Sequence, residues 1–508
     1  MMPALRAATP WNLPTLLAGF AQSVPECPAS GLAMDSRQVS PGGLFLACAG
    51  EHGHGLEHAS EALRLGAVAV AYEPDRIWGP EQARAVTLGT VLIAVPGLGA
   101  RAGEIAARFH GHPSRHMSVV GITGTNGKTS CSHYLAQALG ADGGCGVIGT
   151  LGAGLYPALE DTGMTTPDPV SLHGLLAKLR DAGARHVAME VSSHALAQNR
   201  VSEVAFDVAV FTNLTRDHLD YHRDQRAYGM AKRMLFELAD LPVAVVNGDD
   251  SFGRVLLAGV AKASQVLAYG TSAQRVAPSQ QFVRASQVRR SPSGIGFALE
   301  SSWGRGTVSS GLLGGFNVHN LLAVIGVLLE LGMPLAQVIE RLRHVDTAPG
   351  RMERFGAAGQ PLVVVDYAHT PDALAQALRA LRPHCDGRLW CVFGCGGERD
   401  RGKRPLMGAV AERDADFSLV TDDNPRGEDG GRIIADILSG MGVPRDALVE
   451  RDRRRAIHQA VDAATAHDVV LVAGKGHERF QLVGDLRIEC CDRAVVADAL
   501  AAARERSE

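Results

Sequence analysis

A chain of 508 residues, with 46% hydrophobic and 20% charged side chains, is too long for one ordinary domain and has ample material for several cores. Its formal net charge of −4 supplies no basic field for nucleic acid, and no polybasic tail marks a membrane surface. The start lacks the layout of a signal peptide, and no stretch reaches the roughly eighteen apolar residues that a membrane span needs.

The nine cysteines are scattered. Neither the spacing of Cys391 and Cys395 nor the adjacent Cys490 and Cys491 suits a zinc ribbon or a redox pair. A reducing cytoplasm is the expected compartment. Of fifty Lys and Arg residues only six are lysines, at 128, 178, 232, 262, 403 and 475. Arginine serves almost wherever a generic positive charge would do. Lysines kept inside glycine-rich or acidic motifs, namely Lys128, Lys232, Lys403 and Lys475, are therefore candidates for work that needs an amine.

Residues 1–112 read as a small α/β domain. Asp35-Ser36-Arg37 precedes the turn Pro41-Gly42-Gly43 and a strand from Leu44 to Cys48. Those polar side chains fit either a small polar ligand at a strand edge or an ordinary capped turn. A helix near 57–65 and the strand AVAVAYE follow, and His110 to Ser114 reads as a hinge.

The most informative stretch is MSVVGITGTNGKTSCSHYLAQALG, Met117 to Gly140. Val119, Val120 and Ile122 read as a buried strand. A turn of Gly124, Thr125, Asn126 and Gly127 then leads into a helix whose apolar face is Cys131, Tyr134, Leu135, Ala138 and Leu139. Lys128, Thr129 and Ser130 stand at the helix start. Such a turn aims backbone N–H groups and the positive helix end at a phosphate. The lysine adds charge for the outer phosphates, and Thr129 adds a hydroxyl for Mg²⁺. The usual phosphate-loop spacing wants glycine where this chain has Ile122; glycines stand instead at 121, 124 and 127. The turn is read as an ATP site.

From 113 to 347 strands and helices alternate, which predicts a mostly parallel sheet of phosphate-loop type with helices on both faces. HVAMEV ends in Glu190, and VAVFTNL leads to His218. Ligands of open parallel sheets lie beyond the carboxyl ends of strands, so both are candidates for the shell of the metal. Lys232, on a helix in YGMAKRMLF, reads by spacing alone as an ordinary amphipathic-helix lysine. The Ser-, Gln- and Arg-rich region 262–310 looks like an antiparallel edge. Asn317, at the start of the helix LLAVIGVLLELG, fits either an N-cap or a ligand contact.

Residues 348–508 predict a third, Rossmann-like domain. Its strands end in four polar clusters: Asp366 to His369, Glu398 to Arg404, Asp422 to Asp429, and Lys475 to Glu478. A phosphate loop, acidic and His groups at neighbouring strand ends, and a second polar crest together suggest carboxylate activation by ATP across an interdomain cleft.

GITGTNGKTS, MEVSSHALAQNR, TNLTRDHLDYH, YGMAKRMLF, GGFNVHN, PGRMER, DYAHTPDAL, GCGGERDRGKRP, DDNPR and GKGHE, in this order, resemble the Mur ligases over nearly the whole chain. The resemblance implies a three-domain ligase that uses ATP and Mg²⁺ and makes cell-wall peptidoglycan precursors. Met34, Ser36 and the turn Glu51, His52 and Gly53 would hold a UDP-sugar. Thr165, Thr166, Ser192, Gln198 and Arg200 would hold its muramoyl-dipeptide. Lys232 becomes the family's carbamylated lysine, sharing Mg²⁺ with Thr129, Glu190 and His218. Asn317, Asn320, Arg351 and Asp366 would lie around the nucleotide.

The tetrapeptide Asp423, Asn424, Pro425 and Arg426 resembles the form that selects meso-diaminopimelate, with Arg399, Gly474 and Glu478 completing the pocket. A guanidinium can grip the second carboxylate that distinguishes this amino acid from lysine. The implied reaction joins meso-2,6-diaminopimelate to UDP-N-acetylmuramoyl-L-alanyl-D-glutamate. Small molecules would be its only partners, with neither nucleic acid nor membrane insertion, and a monomer is expected. The alternatives are a lysine-adding member of the family, a folylpolyglutamate synthase-like ligase, and a nucleotide-gated scaffold without turnover.

Overall fold

The computed structural model describes residues 10–506 apart from 51–52, 88, 142, 260–264 and 273–280. Glu51 and His52 thus lie outside the described residues. The chain forms two compact units, one of residues 1–246 with 250–267 and one of 247–249 with 268–508. Among the described residues no helix is long and apolar enough to cross a membrane.

The first unit contains a sheet of four parallel strands in chain order: β1 (Gly31–Ala33), β2 (Gly43–Ala47), β3 (Ala69–Tyr72) and β4 (Val91–Ala94). The helix expected near 57–65 is split into a 3₁₀ turn over Gly55–His58 and a helix over Ala59–Arg64. His54 causes the tight entry. Its Nδ1 accepts from the Leu56 N–H at 3.1 Å, and Glu57 returns a carboxylate to the His54 N–H at 3.2 Å.

A second sheet of this unit is built on β5 (Ser118–Thr123), followed by α1 (Lys128–Gly140), β6 (Cys145–Gly149), β7 (Gly152–Leu155), α2 (Pro169–Asp181), β8 (His186–Glu190), β9 (Val208–Phe211), α3 (Gln225–Arg233) and β10 (Val243–Asn247). The strands run in the order β10-β9-β5-β8-β6-β7, and only β7 is antiparallel to its neighbour. One face of β5, β8, β9 and β10 packs Val119, Val187, Met189, Phe211 and Val246 against Leu172, Leu176 and Leu179 of α2. Both faces are covered, so the strands read as unbroken apolar runs. The helical face expected over 131–139 is buried throughout. With β5 central, its carboxyl end and those of β8, β6 and β9 open on one edge.

The second unit contains the expected antiparallel edge as β11 (Gln281–Ser291), β12 (Gly294–Ser301) and β13 (Gly304–Ser310). Helix α4 (Phe316–Glu330) is buried on nearly every side. Asn317 is its second residue, not its N-cap; its amide donates to Leu313 O at 2.7 Å. Further elements include β14 (Glu353–Phe355), β15 (Leu362–Asp366), β16 (Leu389–Phe393), β17 (Phe417–Val420), β18 (Leu448–Val449), α5 (Arg453–Ala463), β19 (Val469–Ala473), the hairpin β20 (Phe480–Val483) and β21 (Leu486–Glu489), and α6 (Asp492–Glu505). Strand order is β14-β15-β19-β16-β17-β18, all parallel except β14. Alternate residues serve two cores: Val364, Leu389, Phe393 and Leu471 on one face, Val365, Val392, Leu419 and Val472 on the other.

The first residues of α5 and α6 are joined by a salt bridge with no exposed surface. Arg453 Nε and Nη2 reach Asp492 at 2.8 and 2.7 Å, and Nη2 also donates to Ala473 O at 2.9 Å, at the carboxyl end of β19. Removing one partner of a buried pair strands the other charge. Arg453→Met is accordingly expected to cost about 3–5 kcal/mol in urea unfolding. An unchanged midpoint would show that the pair does not secure this strand end.

Candidate active site

Between β5 and α1 the backbone of Gly124 takes φ +149° and that of Gly127 φ +90°. A Cβ on Gly124 would stand 1.9 Å from Thr212 Oγ1, so no other residue fits there without displacing the loop that follows β9. That following loop holds the turn. Thr125 N–H donates to Asn213 O at 2.8 Å, Asn126 N–H to Asn213 Oδ1 at 3.0 Å, and Thr212 Oγ1 to Asn126 O at 2.6 Å. Tyr228 of α3 donates its phenol to Thr125 Oγ1 at 3.3 Å; burial pushes that phenol up to about 12, so it keeps its proton. The amino end of α1 is thereby presented by a braced turn, with Ser130 half-buried in its first coil.

Two lysines converge on one carbonyl. Lys128 Nζ donates to Gly124 O at 2.8 Å and Thr125 O at 2.9 Å, and Lys232 Nζ donates to the same Gly124 O at 2.8 Å. Lys232 is 1% exposed and its ammonium lies 4.3 Å from the centre of the Tyr228 ring. Burial, reinforced by Lys128, pulls its amine well below the ordinary lysine range, and Asp217 opposes this only in part.

Glu190, at the end of β8, is 1% exposed and fully engaged. Its Oε2 accepts from Thr129 Oγ1 at 3.0 Å and Thr150 Oγ1 at 3.1 Å, and its Oε1 accepts from the Thr150 N–H at 2.9 Å. Among the described residues no group of three His, Cys, Asp or Glu is arranged to hold a metal. Mg²⁺ does not require one. It commonly takes one or two carboxylates, waters and substrate phosphates, and the neighbouring oxygens of Thr129 and Glu190 at a phosphate turn fit that pattern. His218 sits apart from this cluster in hydrogen bonding. It has a φ of +51°, its ring centre is 4.9 Å from that of His194, and its Nε2 is 3.5 Å from Asp217.

The residues expected to hold the muramoyl-dipeptide form one network with Glu190. Thr166 Oγ1 donates to Glu190 O at 2.9 Å and accepts from the Ser192 N–H at 3.1 Å. Arg200 donates to Thr166 O at 2.9 Å and to Gln198 Oε1 at 2.6 Å, and Thr165 Oγ1 lies 3.0 Å from Thr150 Oγ1. Met34 packs on an apolar core, Ser36 gives its hydroxyl to Glu61 at 2.7 Å, and Gly53 is exposed; no described hydrogen bond joins these three to the network. Thr150, Thr212 and Tyr228 were not among the sequence candidates. Thr150 had a signal, since it follows directly on β6 at the same sheet edge.

In the second unit Asn320 donates to Asn317 Oδ1 at 2.9 Å. Asp366, at the end of β15, accepts from the Met352 N–H at 2.8 Å, and burial raises its carboxyl against the pull of Arg351. Arg351 lies over the Tyr367 ring at 5.0 Å.

The tetrapeptide from Asp423 to Arg426 follows β17 and is strapped down by β20. Leu482 N–H donates to Asn424 Oδ1 at 3.0 Å, Arg426 N–H to Leu482 O at 2.9 Å, and Gln481 Nε2 to Asp423 O at 2.7 Å. Pro425 is buried within this strapped turn. Arg426, at φ +52°, spends one nitrogen on Gly397 O at 2.9 Å. Gly474, at φ +117°, leaves room that a Cβ would take 2.7 Å from Asp423 Oδ2. Glu478 accepts from Asn424 Nδ2 at 3.0 Å, while Arg399 is exposed and forms no described hydrogen bond to this group. A cationic and an anionic side chain thus belong to one hydrogen-bonded cluster.

Residues 28–110 match the Mur ligase family catalytic domain, 122–328 the Mur ligase middle domain, and 350–476 the Mur ligase glutamate ligase domain. A UDP-N-acetylmuramoyl-L-alanyl-D-glutamate–2,6-diaminopimelate ligase of Xanthomonas campestris pv. campestris (strain 8004) is 55% identical over 473 residues, 93% of this chain and 94% of the relative. The ligase of the same name from Xylella fastidiosa (strain 9a5c) is 51% identical over 491 residues, covering 95% and 97% of the two chains. A solved structure bearing that ligase name superposes with a TM-score of 0.73 at 33% identity, over 97% of this chain and 99% of that one. The chain belongs to the Mur ligase family.

Proposed function

We propose that this chain is the ATP-dependent ligase that adds meso-2,6-diaminopimelate to UDP-N-acetylmuramoyl-L-alanyl-D-glutamate. The observation that carries the choice of amino acid is the pairing of Arg426 with Glu478 in one cluster through Asn424. The far end of diaminopimelate is a zwitterion and needs both a cation and an anion to receive it. Lysine ends in an ammonium alone, which Arg426 would repel. Arg399 would contribute further positive charge, and the bare backbone of Gly474 lets the substrate approach.

In the reaction, the glutamyl carboxylate attacks the γ-phosphorus of ATP, ADP leaves, and an acyl phosphate forms. The amine of diaminopimelate then attacks the acyl carbon, and inorganic phosphate leaves with formation of the amide. The turn from Gly124 to Gly127, with Lys128 and Ser130, would cradle the phosphates. Thr165, Thr166, Ser192, Gln198 and Arg200 would orient the muramoyl-dipeptide, and Met34, Ser36 and Gly53 its uridine end. Thr129 and Glu190, with His218, would hold Mg²⁺, which supplies charge neutralisation for the transferred phosphoryl group. Asn317, Asn320, Arg351 and Asp366 would contact the rest of the nucleotide.

Lys232 supports a carbamate reading on electrostatic grounds. Only a neutral amine reacts with carbon dioxide, and burial favours that form here. As an ammonium it competes with Lys128 for Gly124 O; as a carbamate it would pair with Lys128 and add oxygen donors. The three domains are taken as 1–112, 113–347 and 348–508, a division supported by three separate matched segments. The role is synthesis of peptidoglycan precursors in the cytoplasm, upstream of cell shape and division, carried out by a monomer.

Phosphate release should require both the muramoyl-dipeptide and diaminopimelate, and Arg426→Ala should raise the KM for diaminopimelate roughly ten- to hundred-fold. A preference for L-lysine, or an unchanged KM in that variant, would contradict the assignment. Lys232→Met should lower kcat by roughly a hundred-fold or more. In labelled bicarbonate the wild type should show a carbamate carbon resonance that fades on acidification and is missing from the variant; the same resonance in both would refute the modification.

A further inference from the structure

Lys475 is one of the six lysines, and no role in the reaction described above falls to it. It has no exposed side-chain surface, yet its ammonium is fully paired. Nζ donates to Asn424 Oδ1 at 3.0 Å, Glu478 Oε2 at 2.9 Å and Phe480 O at 2.6 Å. An ammonium has three protons to give, and here each has its own acceptor. A planar guanidinium could not meet three such acceptors from one point, which accounts for lysine in a chain that otherwise uses arginine.

The contacts set the direction of two neighbouring groups. Lys475 has no acceptor, so the Asn424 atom facing it must be the amide oxygen. That choice turns Asn424 Nδ2 toward Glu478 Oε2, where it donates at 3.0 Å. Glu478 Oε2 therefore receives two donors, from Lys475 and Asn424, while Oε1 has no hydrogen bond among the described residues. The Glu478 side chain keeps a third of its surface exposed, so the carboxylate is anchored by one oxygen and open at the other. The third contact, to Phe480 O, fixes the start of β20, whose Leu482 pairs with both Asn424 and Arg426. One buried amine thus orients the anionic receptor directly and steadies the strap that holds the cationic one.

Resting on the diaminopimelate reading, we infer that Lys475 is a positioning residue for amino-acid recognition: by occupying one oxygen of Glu478 and fixing the Asn424 amide, it leaves the other oxygen aimed at the substrate's distal ammonium. It touches no reacting atom, so its effect should appear in amino-acid binding and not in the chemistry of ATP.

The test is a double-mutant cycle of Lys475→Met, Glu478→Gln and the double variant, with KM measured for all three substrates. Lys475→Met should raise the KM for diaminopimelate roughly ten-fold or more. The KM values for ATP and the muramoyl-dipeptide should stay within about two-fold, and the double variant should be no worse than Glu478→Gln alone. A wild-type diaminopimelate KM in Lys475→Met, or a rise shared by all three substrates, overturns the inference. Should that variant lose its cooperative melt, Glu478→Gln and the double variant carry the test, since neither leaves an unpaired carboxylate at 478. Equal diaminopimelate KM values support the coupling, and a further ten-fold rise in the double variant contradicts it. If instead the wild type does not use diaminopimelate at all, the functional reading fails first, which is a separate result.

Discussion

The buried carboxylate of Glu190 is the constraint on which the first unit's site depends. It holds the first turn of α1 through Thr129, the end of β6 through Thr150, and, by its own carbonyl, the Thr166 segment. A carboxylate with so little exposure is tolerable only when its lone pairs are met, and three donors meet them. The phosphate turn and the residues proposed for the muramoyl-dipeptide are therefore two sides of one hydrogen-bonded body. Loosening Glu190 would displace both.

The lysines make a related point about charge. Lys128 and Lys232 end on carbonyls of the phosphate turn, Lys403 on His369 O at 2.8 Å, and Lys475 on two side chains and a carbonyl. Each is a compact point donor, which a forked guanidinium does not supply. Arginine is used for the complementary task of bidentate pairing, as in the buried bridge from Arg453 to Asp492 at the first turns of α5 and α6.

Much of this was legible in the chain itself. Strands buried on both faces leave unbroken apolar runs, so β5, β8, β15 and β19 were readable, and polar residues just past their ends pointed to the functional edges. The apolar stripe from Cys131 to Leu139 announced α1. What escaped were features decided by contacts distant in sequence. Thr150 is an unremarkable threonine until β6 is laid beside β8, and Thr212 matters only because Gly124 packs against it. The tight turn at Gly55 comes from a His54 cap, a rarer device than Ser, Asp or Asn. Asn317 looked like a cap because it follows Gly314 and Gly315, yet the helix begins a residue earlier and its amide reaches back to Leu313. The strap of β20 over the tetrapeptide could not be read at all, because a two-stranded hairpin gives little periodic signal.

The central claim is that the energy of ATP passes through a phosphorylated carboxylate of the muramoyl substrate. It is tested most directly by placing a heavy-oxygen label in the glutamyl carboxylate and analysing the phosphate released in the presence of diaminopimelate. The account predicts that one labelled oxygen is carried into phosphate with each amide formed. Release of unlabelled phosphate at the same rate as amide formation would contradict it.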